Sequence, residues 1–96
     1  MIYAIILMYT VSVDEVDRHA EAHLAWLRGQ YAKDVFLLSG QQRPRLGGFI
    51  LAPAMDRASL DAILASDPYV RAGVAEYQVI EVAVKFANDA LKFLLG

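Results

Sequence analysis

The sequence predicts an α+β fold with the element order β-α-β-β-α-β, the ferredoxin-like arrangement. Apolar runs of strand length alternate with two segments whose apolar residues recur every three or four positions. A polar loop with glycine and proline separates the second and third apolar runs, so these two strands should form a hairpin. The 96 residues correspond to a single domain, with a core at about 1–84 and a tail at 85–96.

The predicted strands cover residues 2–10, 35–39, 46–52 and 75–84. The first has apolar residues on both faces, so we expect it at the centre of the sheet. In the third, the pair Gly47 and Gly48 indicates a bulge or a close approach of another backbone.

Two helices are predicted between these strands. The first rests on residues spaced three and four apart, which are Val16, Ala20, Leu24, Leu27 and Tyr31. The second covers residues 56–66 and ends at the Asp67-Pro68 pair, since proline disfavours helical geometry in the residue before it. The tail is predicted to form a short amphipathic helix at 86–95, which must dock because ten residues are unstable alone.

The composition indicates a homodimer. Hydrophobic residues make up 57% of the chain, against roughly 45–50% in typical soluble domains. A domain this small cannot hide that surplus internally. Because both helices should cover one face of the sheet, the opposite face is left bare, and two such faces pressed together would bury it.

Composition also argues against several classes of protein. The longest apolar stretch, residues 2–11, is about half of what a spanning helix needs, and it lacks the features of a signal peptide, so we expect a cytoplasmic protein. The absence of cysteine excludes thiol chemistry, and a net charge of −2 without basic clusters argues against nucleic acid. Since no phosphate-binding loop is present, we predict no cofactor.

Two residues are candidates for catalysis. His23 falls on the apolar side of the first predicted helix, where it is either a hydrogen-bonded core residue or a general acid/base. Asp67 either caps the backbone at the Asp-Pro turn or meets an imidazole and fixes its tautomer. From the residues alone, the favoured roles are the structural ones: a hydrogen-bonded core histidine for His23 and a backbone cap for Asp67.

Other polar residues are weaker candidates. Ser39 can donate a hydrogen bond at the end of the second strand, and Arg43 and Arg45 can bind a substrate carboxylate or simply lie in a solvated loop. His19 and His23 have the i, i+4 spacing of metal ligands, but no third ligand is evident and we predict no metal.

Several short segments together resemble the YciI-like (YCII-related) family over about residues 1 to 84. They are His23-Leu24-Ala25-Trp26-Leu27, Leu38-Ser39-Gly40, Gly48-Phe49-Ile50, Asp67-Pro68-Tyr69-Val70 and Gly73-Val74. The resemblance implies a dimeric α+β barrel with an active site built on a His–Asp pair, here His23 and Asp67, with Ser39 lining the pocket. Assigned activities in that family include a dechlorinating lyase that acts on an aromatic ring.

This chain departs from the family at two places. Gln41 follows Ser39-Gly40 where the family often has proline, and the tail after Lys85 is longer than usual. With the resemblance included, we predict a cofactor-independent enzyme of the lyase or isomerase type. His23 would transfer a proton of a compact anionic or phenolic substrate, and Asp67 would orient the imidazole. The alternative is a non-catalytic dimer that binds a small ligand or a partner protein.

Overall fold

The computed structural model describes residues 1–96 and contains one antiparallel sheet of four strands in the order β2-β3-β1-β4. The strands are β1 (Ile2–Tyr9), β2 (Leu38–Gln41), β3 (Gly47–Pro53) and β4 (Ala75–Val82). β1 lies between β3 and β4, as its two apolar faces predicted. The β-α-β-β-α-β order and the ferredoxin-like class are confirmed.

Four helices and one 3₁₀-helix accompany the sheet. They are α1 (Val13–Asp17), α2 (Ala20–Ala32), α3 (Arg57–Ala65), α4 (Pro68–Arg71) and the 3₁₀-helix Asp89–Leu94. The side chain of Ser12 caps α1 and that of Asp56 caps α3, each by accepting a backbone N–H of the first turn. No helix in the structure is both long and apolar enough to cross a membrane.

The core lies between the helices and one face of the sheet. Alternate residues of β1 point into it, and Tyr3 and Ile5 are almost inaccessible to solvent. Around them is a buried cluster from the sheet, α3 and the segment before β2, made of Phe36, Ile50, Ala52, Leu60 and Leu64. A second buried cluster, formed by Leu7, Val16, Tyr69, Val74 and Ala75, lies nearer α1 and α4.

The other side of the sheet, which we call the open face, carries no helix and is largely apolar. The strand register aligns one row of apolar residues across all four strands: Leu38, Leu51, Ala4 and Ile80. Leu38 is 49% exposed and Ile80 is 39% exposed. A bare sheet face, as the composition predicted, is therefore present.

The first predicted helix is in fact two helices. The His19 N–H bonds to the Val16 carbonyl, three residues back, so the chain turns between α1 and α2 and the helical phase is lost. As a result Leu24 and Tyr31, predicted as buried, are 47% and 36% exposed. The inward face of α2 instead carries His23 and Gln30.

Two further predictions need correction. The second strand begins at Leu38 rather than at residue 35, because the Val35 N–H bonds to the Gln30 carbonyl and completes the end of α2. The tail does form a short helix, but this is a 3₁₀-helix over Asp89–Leu94 rather than over residues 86–95, and it buries Leu94 while Phe86 and Phe93 remain 95% and 68% exposed. The other strand and helix boundaries differ from the predicted ones by one or two residues.

The glycine pair in β3 does mark a close approach of another backbone. A Cβ atom at Gly47 would lie 1.8 Å from the Leu7 carbonyl oxygen, a distance that no rotamer change can relieve. We therefore predict that Gly47→Ala lowers the free energy of unfolding by about 2–4 kcal/mol, measured by urea denaturation.

Gly29, within α2, is the matched control for this substitution. A Cβ there meets no atom within 4 Å. Because alanine is the better helix former, Gly29→Ala should raise the free energy of unfolding by up to about 1 kcal/mol. Equal stability of Gly47→Ala and the wild-type protein would contradict the close approach.

Candidate functional site

The site is organised around Asp67, a carboxylate with no solvent exposure. Asp67 lies between α3 and α4 and caps α4, because its Oδ1 accepts the Tyr69 backbone N–H at 2.9 Å. Pro68 occupies the first turn of α4, where its missing N–H costs nothing. The capping role considered for this Asp-Pro pair is therefore present, together with a second contact.

That second contact is to His23, and it joins α2 to the α3–α4 junction. The Nδ1 atom of His23 lies 2.7 Å from Asp67 Oδ1, and the histidine is 9% exposed. These residues are 44 positions apart in the sequence. The structure thus brings together the two residues that the sequence analysis paired.

Tyr77, on β4, completes the surroundings of the carboxylate. Its hydroxyl donates to Asp67 Oδ2 at 2.5 Å. Burial raises the pKa of Tyr77 above the usual tyrosine value, and the charge of Asp67 and this hydrogen bond raise it further. The phenol therefore stays protonated and serves as a donor to Asp67.

The hydrogen bonds determine which nitrogen of His23 carries the proton. An ionised carboxylate only accepts hydrogen bonds, so Nδ1 must be the donor toward Asp67. In the neutral ring Nε2 is then an acceptor. Nε2 has no hydrogen-bond partner within the chain and, since no buried polar atom is left unsatisfied, it keeps contact with solvent.

Two aromatic rings hold the imidazole in place. Tyr69 stacks on His23 with ring centroids 3.9 Å apart and planes 8° from parallel, and Trp26 stacks at 5.7 Å and 30°. Trp26 is itself fixed, because its Nε1–H donates to the Ser66 hydroxyl at 2.9 Å. The ring orientation of His23 is therefore set by packing as well as by Asp67.

A cavity of about 410 Å³ adjoins His23. Its apolar walls come from β1, α2 and β3 and include Leu7, Leu24, Leu27 and Ile50. Asp67 does not line the cavity and lies behind the imidazole. This volume falls within the range of small-molecule sites.

Arg45 also lines the cavity, and it is hydrogen-bonded to neighbouring side chains. Its Nη2 and Nη1 atoms donate to the two carboxylate oxygens of Asp17 at 2.6 and 3.3 Å, and its Nε–H donates to the Tyr9 hydroxyl at 3.3 Å. The guanidinium lowers the pKa of Asp17 by hydrogen bonding, and Asp17 and Tyr9 in turn raise the pKa of Arg45. Both groups therefore stay charged at neutral pH.

The remaining candidate residues differ in position. Ser39 lines the cavity and accepts a hydrogen bond of 2.7 Å from the Tyr31 hydroxyl. Arg43 is exposed and is not among the residues that line the cavity. His19 precedes α2, and no group of three or more metal-binding side chains is present.

Sequence analysis missed four polar contributors to this site: Tyr9, Asp17, Tyr69 and Tyr77. The alternation of β4 already placed Tyr77 on one side of that strand, and Tyr69 directly follows the Asp-Pro pair. Nothing local distinguished Asp17 from the other acidic residues near α1, because its partner Arg45 is 28 positions away.

The comparisons with known proteins agree with the architecture. The sequence model of the YCII-related domain matches residues 1–83. A search of curated proteins found no match. Among solved structures, 5-chloro-2-hydroxyhydroquinone dehydrochlorinase (TftG) from Burkholderia phenoliruptrix AC1100, in complex with 2,5-dihydroxybenzoquinone, superimposes with a TM-score of 0.73. It shares 19% sequence identity, and the match covers 85% of this chain and 93% of that chain.

The hydroxyl of Tyr77 should matter for stability, because without it Asp67 Oδ2 is left buried without a donor. We predict that Tyr77→Phe lowers the free energy of unfolding by about 1–3 kcal/mol in urea denaturation. Tyr31→Phe is the control, since it also removes a hydroxyl that bonds to a side chain but at an exposed position. Its cost should be clearly smaller, and equal costs would contradict the assigned role of Tyr77.

The same tyrosine predicts a pH dependence. Because the pKa of Tyr77 is raised in the folded state, its contribution to stability is complete below the ordinary tyrosine pKa of about 10. Above that pH the unfolded state releases the proton while the folded state keeps it, so stability falls. The stability difference between wild type and Tyr77→Phe should therefore shrink from pH 9 to 11, and parallel curves would count against the shift.

Proposed function

The chain belongs to the YCII-related family, and from this membership and the site geometry we propose that it is a cofactor-independent small-molecule enzyme of the lyase or isomerase type. One observation carries the proposal. His23 has Nδ1 bonded to a buried carboxylate, while Nε2 is free of partners and the residue lines a cavity. An imidazole held in this way is suited to accept a proton from a bound molecule.

In the proposed reaction Nε2 of His23 removes a proton from the substrate. In a lyase the electron pair of the broken bond to hydrogen forms a new double bond as a leaving group departs with its bonding electrons, and the imidazolium then gives its proton to the leaving group or to water. In an isomerase the pair forms a double bond as an existing double bond of the substrate shifts its electrons to another atom, and that atom takes the proton back from the imidazolium. In both cases the ring becomes positively charged for part of the cycle.

The role of Asp67 in this scheme is to stabilise that charge and to hold the ring. Its oxygens already accept hydrogen bonds from Tyr69 and Tyr77, so the carboxyl group is held in a fixed position. Asp67 therefore orients the base and does not touch the substrate. A negative charge directly behind the imidazole favours the imidazolium that forms during the transfer.

The proposed substrate is a compact anionic or phenolic molecule. The cavity volume of about 410 Å³ accommodates a single substituted ring. Arg45 and Ser39 provide polar groups in the wall, and Tyr69 provides an aromatic surface beside His23. TftG, whose fold this chain shares, was solved with 2,5-dihydroxybenzoquinone, and this supports a hydroxylated ring.

We further propose that the protein functions as a homodimer through the open face. Its solvent-accessible surface of 5976 Å² exceeds the roughly 5,500 Å² typical of a monomer of this size. The exposed leucine and isoleucine of the row across the sheet are the apolar surface that a second copy would cover. Association of two open faces would give the α+β barrel that the resemblance implied.

A second candidate function is a non-catalytic dimer that binds a small ligand or a partner protein. The observation in its favour is the tail, where Phe86 and Phe93 expose large aromatic surfaces. If this function is correct, compounds that enter the cavity are recovered unchanged. Removal of residues 86–96 would then abolish binding of the partner protein, and unchanged binding would count against this candidate.

We predict that His23→Ala and Asp67→Asn lower turnover by about 10²–10⁴-fold, because one removes the base and the other its orienting charge. The experiment screens hydroxylated and halogenated single-ring compounds by mass spectrometry, in D₂O so that proton transfer appears as deuterium incorporation. His19→Ala is the control, since it removes a histidine outside the cavity. Full activity of His23→Ala would rule out the proposed base.

The dimer is tested at the apolar row of the open face, on the edge strand β4. Ile80→Glu places a charge in the apolar row and should convert a dimer to a monomer in sedimentation-velocity experiments. Val11→Glu is the control, because Val11 is similarly exposed at 41% but lies outside the sheet. A monomeric wild-type protein, or an Ile80→Glu variant that remains dimeric, would contradict this interface.

A further inference from the structure

We propose that Asp17 makes the cavity selective for uncharged hydroxylated rings and against carboxylates. The inference rests on the proposed function, since it assumes that the cavity beside His23 is the ligand site. It narrows the substrate class from anionic or phenolic to phenolic. Asp17 acts as a specificity-determining residue through its contact with Arg45.

The guanidinium of Arg45 already donates hydrogen bonds to two side chains of the same chain. Its two terminal nitrogens both donate to Asp17, in the forked geometry that a carboxylate prefers, and its third nitrogen donates to Tyr9. The guanidinium carbon also lies 5.5 Å from the centre of the Tyr9 ring. A ligand carboxylate that sought this fork would have to displace Asp17.

The cavity wall has no net formal charge that would attract a carboxylate. Its formally charged residues are Asp17 and Arg45, and their charges cancel. A ligand carboxylate that did not displace Asp17 would place its negative charge beside an existing one. Both routes cost free energy, whereas an uncharged ligand meets neither cost.

The cavity wall does provide hydrogen-bond partners for a neutral hydroxylated ring. Nε2 of His23 can accept a hydrogen bond from a phenolic hydroxyl, and the Ser39 hydroxyl can donate one. The leucine side chains of the wall supply apolar contact for the ring. A phenol would also place its acidic proton directly at the proposed base.

The size of the expected shift in ligand preference depends on how far solvent reaches the Arg45–Asp17 pair. The side chains of Arg45 and Asp17 are 28% and 48% exposed, so solvent screens the pair in part. Partly exposed ion pairs contribute on the order of 1 kcal/mol, which corresponds to a change of about fivefold in affinity. We therefore expect Asp17 to shift the preference between ligands by about fivefold.

The test uses two probes of similar size, phenol and benzoate, which are uncharged and anionic at neutral pH. Dissociation constants are measured from backbone amide shifts in ¹H–¹⁵N spectra of the wild type and of Asp17→Asn. The substitution removes the negative charge and keeps one of the two oxygen acceptors of Arg45, the other being replaced by an amide nitrogen. Glu15→Gln is the matched control, because it removes one negative charge from the same helix at a residue that does not line the cavity.

Wild type should bind phenol more tightly than benzoate, and Asp17→Asn should shift the ratio about fivefold toward benzoate. Glu15→Gln should leave the ratio unchanged. An unchanged ratio in Asp17→Asn, or tighter binding of benzoate to wild type, overturns the inference while the cavity remains the ligand site. If neither probe shifts the residues around the cavity in any variant, the proposed function fails together with the inference.

Discussion

Asp67 imposes the strongest constraint on this structure, because a carboxylate without solvent contact is costly unless donors surround it. Its donors come from three separate elements: His23 from α2, Tyr69 from α4 and Tyr77 from β4. The chain can meet this requirement only when the helices and the edge of the sheet are assembled. The polar site and the packing of the domain are therefore formed by the same contacts.

The carboxylate and the cavity lie apart from each other. Asp67 is buried and does not line the cavity, whereas His23 lines it and has no partner at Nε2 within the chain. A second pair of charges, Asp17 and Arg45, lies in the cavity wall, where it is partly exposed. In the proposed function the buried carboxylate orients the base, while the partly exposed pair sets the electrostatic conditions that a ligand meets. These two proposed roles require different burial, and the two charge pairs differ in burial accordingly.

The sequence predicted the order of strands and helices because hydrophobic periodicity is a local signal, and α3 is a clear example with Leu60 and Leu64 buried one turn apart. Hydrophobic periodicity did not predict the break between α1 and α2, since no glycine or proline marks the turn before His19. The pairing of His23 with Asp67 was reached through the resemblance, because their separation in the sequence carries no local signal. Tyr77 and Asp17 escaped notice for the same reason: each acts on a residue from another element.

The proposed chemistry depends on Asp67 accepting a hydrogen bond from Nδ1 of His23, which leaves Nε2 as the acceptor in the neutral ring. Long-range ¹H–¹⁵N correlation spectra of the histidine ring report this tautomer directly. We predict a protonated Nδ1 and an unprotonated Nε2 for His23 in the wild type, and loss of this preference in Asp67→Asn. A neutral His23 with its proton on Nε2 in the wild type would contradict it, because Nδ1 would then accept rather than donate.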